Sequence, residues 1–208
     1  PLIFRYTQPH TVYLAHIMND KNSKEKEDPL LDKLLETRSI IISTSVDSKL
    51  AEKIIKQILI LEQMDPKAEI KVFINSPGGE IYSGFAIFDC LKFVQCPITT
   101  IVAGLAASMG SILSLVGDKG RKFAFPNARI MIHQPLLGGV QGQATDLEIH
   151  SKQIIKTRAK LADMYADITG KPSKQILKDM ERDNWLDADE AMNYGLIDRI
   201  ITTRSELE

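Results

Sequence analysis

The chain has 208 residues, 44% apolar and 25% charged, a balance that excludes a disordered or fibrous protein and allows a sizeable core. With 26 Lys and Arg against 27 Asp and Glu the net charge is -1, so no global basic field drives nucleic-acid binding. The two cysteines, Cys90 and Cys96, form neither a Cys-x-x-Cys pair nor part of a His/Cys cluster, which leaves no expected metal site and argues for a reducing compartment.

Residues 1–15 lack the basic head, apolar run and small-residue cleavage site of a signal peptide. The expectation is a cytoplasmic protein of the bacterial cytosol, with an organellar matrix or stroma as the alternative. Residues 21–28, KNSKEKED, are polar and aperiodic and read as a solvated loop. A short buried strand follows over 39–43, carrying Ile40, Ile41 and Ile42. The spacing of Leu50, Ile54, Ile58 and Leu61 predicts a helix over 50–64. A second strand over 70–75 is closed by Ser76-Pro77-Gly78-Gly79, and a helix over 82–94 buries Phe85, Phe88 and Leu91.

Residues 93–117 carry no charge, a length that could span a bilayer. Pro97, Gly104 and Gly110, with hydroxyls at Thr99, Thr100, Ser108, Ser111 and Ser114, argue instead for a buried strand over 98–102, a tight turn and a buried helix over 106–116. Strands over 121–125 and 128–133 flank a Pro126-Asn127 turn, and a long helix covers 145–168. Pro172 opens a shorter helix toward Arg182. Asp187-Ala188-Asp189-Glu190 has capping-box spacing, Gly195 marks the stop of that helix, and residues 196–201 return as a strand. The alternation predicts an α/β protein with a largely parallel sheet. Without linker or repeat, one domain is expected over 34–208, after a divergent segment at 1–33.

Three places depart from core logic. Gly104-Leu105-Ala106-Ala107-Ser108-Met109-Gly110 resembles a nucleophile elbow in composition: small neighbours admit a substrate carbonyl, and a helix start offers N–H groups to an oxyanion. On this segment alone a helix N-cap serine is the commoner reading. Gly78-Gly79 lets amides face a cavity, or forms an ordinary turn. His133 ends a buried strand, where α/β sheets place function, and its side chain suits proton transfer at neutral pH; a structural core histidine is the alternative. His10, His16 and His150 lie in less telling contexts. A Ser–His pair needs a carboxylate to orient the imidazole. Spacing does not choose among the many candidates; Asp183 is one, because Trp185 could shield it from water, although an Asp at a helix end is more often a cap or a solvated charge.

Together these segments resemble the Clp protease proteolytic subunit family, serine peptidases of the ClpP/crotonase fold. The resemblance is carried by Ile74-Asn75-Ser76-Pro77-Gly78-Gly79, the Gly104–Gly110 segment, Met131-Ile132-His133-Gln134-Pro135, Gln141-Gly142-Gln143-Ala144-Thr145-Asp146 and Glu181-Arg182-Asp183, in order and with nearly unbroken spacing over 34–201. It implies an α/β fold of repeated β-β-α units in a superhelix, with a protruding handle helix. Its nucleophile falls on Ser108, its general base on His133, its orienting acid on Asp183, and its oxyanion donors on the N–H groups of Gly79 and Met109. It further implies hydrolysis of unfolded protein chains inside two stacked seven-membered rings, fed by a separate AAA+ ATPase. The ATPase-docking positions fall on Phe73, Phe93, Ile101, Phe123 and Phe125. No cofactor, nucleic-acid or membrane partner is implied. No G-x-x-x-x-G-K-[ST] loop occurs, so ATP use belongs to the partner.

The sequence departs from the family at Leu105, where Gln is usual, in one extra residue within the His133–Gly139 loop, and over residues 1–28, the family's axial-pore region. Those departures motivate a second reading, a structural ring subunit that needs a paralogous partner for activity. A crotonase-type acyl-CoA enzyme, sharing fold and oxyanion hole but not the triad, is the third.

Overall fold

The computed structural model describes residues 29–136, 138 and 141–207. The expectations for the 21–28 loop, the axial-pore segment and the loop register at Leu137 and Gly139 lie outside the described residues. In chain order the elements are α1 (Pro29–Glu36), β1 (Ser39–Ile42), α2 (Ser48–Met64), β2 (Ile70–Ser76), α3 (Ile81–Phe93), β3 (Ile98–Ala107), α4 (Met109–Ser114), β4 (Lys122–Ala124) and β5 (Arg129–Ile132). There follow α5 (Ala144–Thr169), α6 (Ser173–Asp179), β6 (Asn184–Asp187), α7 (Ala188–Tyr194), β7 (Arg199–Ile200) and a 3-10 turn at Arg204–Leu207.

The sheet runs β1-β2-β3-β4-β7, all parallel, with β5 parallel to β3 and β6 antiparallel to β5. Its central strand is β3. One edge of β3 pairs with β2; the other pairs first with β4 through Thr100–Val102, then with β5 through Leu105–Ala107. Helices α2, α3 and α4 cover the strands, and Ile40, Ile54, Ile58, Leu61, Val72, Ile74, Ile87 and Leu113 fill the space between at 1% exposure or less. Burial on both faces explains the near-continuous apolar character of β3, whereas β2 alternates, with Lys71, Phe73 and Asn75 less buried than their neighbours.

Here the structure corrects the expected turn and helix after residue 102. The strand continues through Gly104, Leu105, Ala106 and Ala107, and the helix starts only at Met109. Small residues have weak strand preference, but ladders on both edges of β3 override it. Strand β6 and helix α1 do not show in the sequence pattern, and the final strand shortens to Arg199–Ile200 because Leu196 and Ile197 enter the core instead. The capping box at Asp187 and the left-handed stop at Gly195 form as the spacing predicts.

Helix α5 is 26 residues, about 39 Å at 1.5 Å per residue. Only its last third packs on the body, through Leu161, Ala162 and Tyr165; the rest stands out with Leu147, Ile149 and Ile155 exposed. Among the described residues no helix is long and apolar enough to cross a membrane.

At the opposite end, Arg38 holds φ 54 and sends its guanidinium to the carbonyl oxygens of Leu61, Asp65, Ala68 and Glu69, tying β1 to the end of α2 and the start of β2. An Arg38→Met variant is expected to lose about 1–3 kcal/mol of stability in a denaturant titration, because several part-buried carbonyls lose a charged donor at once. No loss would mean that water replaces the guanidinium freely.

Candidate active site

Register, more than side-chain chemistry, assembles the site. Ala107 of β3 lies opposite Met131 of β5, so the residue after β3 meets the residues that end β5. Ser108 donates its N–H to the Met131 carbonyl at 2.9 Å. Since β5 and β6 are antiparallel with Ile132 opposite Asn184, His133 and Asp183 emerge from the same end of that pair. On the other flank Ser76 of β2 pairs with Ala106, which carries Pro77-Gly78-Gly79 alongside Ser108 and Met109.

The outcome is a continuous hydrogen-bonded line. His133 Nε2 stands 2.8 Å from Ser108 Oγ, and His133 Nδ1 stands 3.0 Å from Asp183 Oδ1. With the proton on Nδ1, the imidazole donates to the carboxylate and its Nε2 accepts from the serine hydroxyl. Ser108 is half-buried and the His133 side chain is 14% exposed. The Asp183 side chain is 62% exposed. Trp185 does not shield it as expected: it lies on β6, is itself 45% exposed, and has the Arg129 guanidinium 5.8 Å from its ring centre.

Ser108 adopts φ 54, ψ -121, a conformation that costs a non-glycine residue on the order of 1–3 kcal/mol. It occupies the N-cap position of α4, yet its side chain caps nothing and points to His133 instead, which disposes of the N-cap reading. The strained turn is held from several sides. Besides the bond to Met131, the Ser108 carbonyl accepts from Ser111 N–H at 3.0 Å and from Ser111 Oγ at 2.6 Å. Ser111 Oγ in turn lies 2.5 Å from the hydroxyl of Tyr165, fully buried at the root of α5. Burial raises the Tyr165 phenol well above its ordinary pKa, so it remains a neutral donor.

Two backbone amides are spare beside this line. Among the described residues, neither Gly79 N–H nor Met109 N–H meets a protein acceptor. The Gly78-Gly79 turn is fixed by Val46, whose N–H donates to Gly78 O and whose carbonyl accepts from Glu80 N–H, each at 2.8 Å. Gly78, at φ 91, lies so close that an added Cβ would come within 2.8 Å of both Met109 N and Ser108 Cβ.

Ser108, Met109, His133 and Gly79 line a cleft of about 640 Å³, walled by Ile81, Tyr82, Ile112, Met131, Leu136 and Leu161. Leu136 belongs to the His133–Gly139 loop, which the resemblance places along the substrate groove; nothing in the pattern singles out the other wall residues. Leu161 and Tyr165 have the i, i+4 spacing of a buried helix face, a signal that reads as core and not as cleft. Of the other positions highlighted by the resemblance, Phe73, Ile101 and Phe123 stand at one level of adjacent strands and cluster with Ile201 and Leu207. Phe93, 78% exposed at the end of α3, and Phe125, just beyond β4, are outside that cluster. His150 is exposed on α5.

A family model for the Clp protease matches residues 22–204. The ATP-dependent Clp protease proteolytic subunit 1 of Protochlamydia amoebophila (strain UWE25) is 49% identical over 195 residues, covering 91% of this chain and 95% of that protein. The mixed α/β architecture is in keeping with the ClpP/crotonase fold. By family model and by identity alike, the chain belongs to the Clp protease family, as a proteolytic subunit of the serine-peptidase kind.

Proposed function

We propose that Ser108, His133 and Asp183 form the catalytic triad and that the Gly79 and Met109 amides form the oxyanion hole. The observation that carries this reading is the unbroken line from Ser108 Oγ through both nitrogens of His133 to Asp183, beside two amides that have no acceptor among the described residues. Ser108 Oγ attacks the carbonyl carbon of the peptide bond while His133 Nε2 takes its proton. Negative charge that develops on the carbonyl oxygen is met by the two N–H groups, and Asp183 stabilises the imidazolium through Nδ1. His133 then protonates the departing amine, leaving an acyl-serine. Water, deprotonated by the same imidazole, attacks the ester and restores the hydroxyl.

The substrates in this reading are unfolded chains, cut inside a chamber of two stacked heptameric rings joined through the projecting part of α5. A separate AAA+ ATPase supplies the energy; the relative is by name the subunit of an ATP-dependent protease. Support for its docking comes from the apolar level formed by Phe73, Ile101 and Phe123, with Phe93 and Phe125 as exposed additions. The cytoplasm is the proposed compartment.

The deciding experiment is covalent labelling. A fluorophosphonate is expected to modify the assembled protein at a single residue, Ser108, and to leave Ser108→Ala untouched. An assembled protein inert to the probe would overturn the assignment. Peptide hydrolysis by the chain alone is expected; activity only after mixing with a paralogous subunit would make this chain the structural member of a mixed ring.

A further inference from the structure

Asp183 is the least secured member of the line. Among the described residues its carboxylate has one hydrogen-bond partner, His133, and most of its side chain meets water. Nothing local fixes its rotamer, so its position depends on the backbone that carries it. That backbone is the short stretch Glu181, Arg182 and Asp183, exposed throughout, between α6 and β6. At its far end the β5–β6 ladder holds it, where Asn184 is opposite Ile132. Its near end is held by Gln134, the residue directly after the imidazole. The Gln134 N–H donates to the Met180 carbonyl at 2.6 Å, and Gln134 Nε2 donates to the Glu181 carbonyl at 2.9 Å.

We propose that Gln134 is a positioning residue for the acid of the triad. One side chain, adjacent in sequence to His133, clamps the segment that delivers Asp183 to His133 Nδ1, so both partners of that hydrogen bond share an anchor. The main-chain bond sets the approach of the two segments. The side-chain bond removes the remaining freedom of the Glu181 peptide, two residues before the carboxylate. Gln134 is not among the residues that line the cleft; it acts by raising the share of time in which Asp183 faces the imidazole. The inference rests on the triad assignment above.

The test is a double-mutant cycle on the assembled enzyme, with peptide kcat and KM and the rate of fluorophosphonate labelling of Ser108 as readouts. Gln134→Met keeps the shape of the side chain and removes its donor. It is expected to lower kcat and the labelling rate about five- to tenfold, the scale of one hydrogen bond, with KM unchanged. Asp183→Ala is expected to lower kcat about 10⁴-fold. Adding Gln134→Met to Asp183→Ala is expected to change nothing further, because the clamp then has no carboxylate to position. Gln134→Lys, which restores a donor of similar reach, is expected to recover most of the loss. A Gln134→Met enzyme at full rate, or one that loses the same factor with and without Asp183, overturns the clamp. Full activity in Asp183→Ala alone would instead overturn the triad assignment on which it rests.

Discussion

Replacing His133 with alanine is expected to lower peptide turnover by about 10⁶-fold while the protein still folds and assembles. The size follows from the geometry. A serine hydroxyl is a poor nucleophile with its proton in place, and the acceptor positioned to remove it is His133 Nε2, 2.8 Å away. The same nitrogen returns the proton to the leaving amine, so both halves of the reaction lose their catalyst together. The only other histidine among the described residues, His150, is exposed on α5 and no substitute. Fold integrity is not at stake, because the His133 ring contributes two side-chain hydrogen bonds at the rim of the cleft and is not part of the apolar core. Ser108→Ala is expected to fall as far, and the double variant no further than either single one, since groups that act as a unit do not lose activity additively. A loss of only tenfold in His133→Ala would place the base elsewhere. A loss of 10⁶-fold accompanied by failure to assemble would call for His133→Gln, which retains a polar side chain of similar reach and is expected to assemble while remaining equally inactive.

How far the sequence itself announces this site depends on the element. His133 stands at the end of a buried strand in the sequence pattern and in the structure alike, whereas Ser108, expected inside a helix over 106–116, follows a strand that runs on to Ala107. Asp183 is different. Its neighbour Trp185 suggested a shielding role that the fold does not give it; what places the carboxylate is β6, a four-residue strand invisible to periodicity because only Leu186 of its residues is buried. The antiparallel pairing of β6 with β5 is a long-range event, and no spacing rule within the chain encodes it. The stretch Gly104–Ala107 misleads for a related reason. Read locally, glycine and alanine signal a turn and a helix, whereas the two ladders that make them a strand come from residues 30 positions before and 24 after. The motif resemblance recovers these residues because a motif carries the outcome of tertiary pairing without its cause. It does not bring out Gln134, Ser111 or Tyr165 as supports. Their roles lie in hydrogen bonds between elements: Gln134 reaches across to the segment before β6, and Tyr165 meets Ser111 over 54 positions of sequence.

Gly79→Ala is expected to cost about 10²–10³-fold in kcat, the effect of losing one oxyanion donor, with a smaller change in KM. At this residue φ is 150, and a Cβ built on it would drive into the Val46 carbonyl oxygen and lie 2.8 Å from Val46 N. Those are main-chain atoms, so no rotamer change can make room. Either the turn retreats from Val46, or Val46 retreats from the turn. In both cases the pair of 2.8 Å bonds that fixes the turn, Val46 N–H to Gly78 O and Glu80 N–H to Val46 O, is strained or broken. The Gly79 amide then no longer points where a carbonyl oxygen would rest beside Ser108. The damage differs from that of Gly78→Ala, whose methyl group would crowd Met109 N and Ser108 Cβ directly and obstruct the nucleophile itself. Gly79→Ala should therefore retain a reactive serine hydroxyl with an intact Ser108–His133 bond, slow in acylation because the developing charge has one donor instead of two. Gly78→Ala should lose substrate access as well, with a marked rise in KM. Steady-state kinetics on short peptides, with thermal melting to confirm folding, separates the two. A Gly79→Ala enzyme that keeps full kcat would remove this amide from the oxyanion hole and leave Met109 N–H as its sole proposed donor.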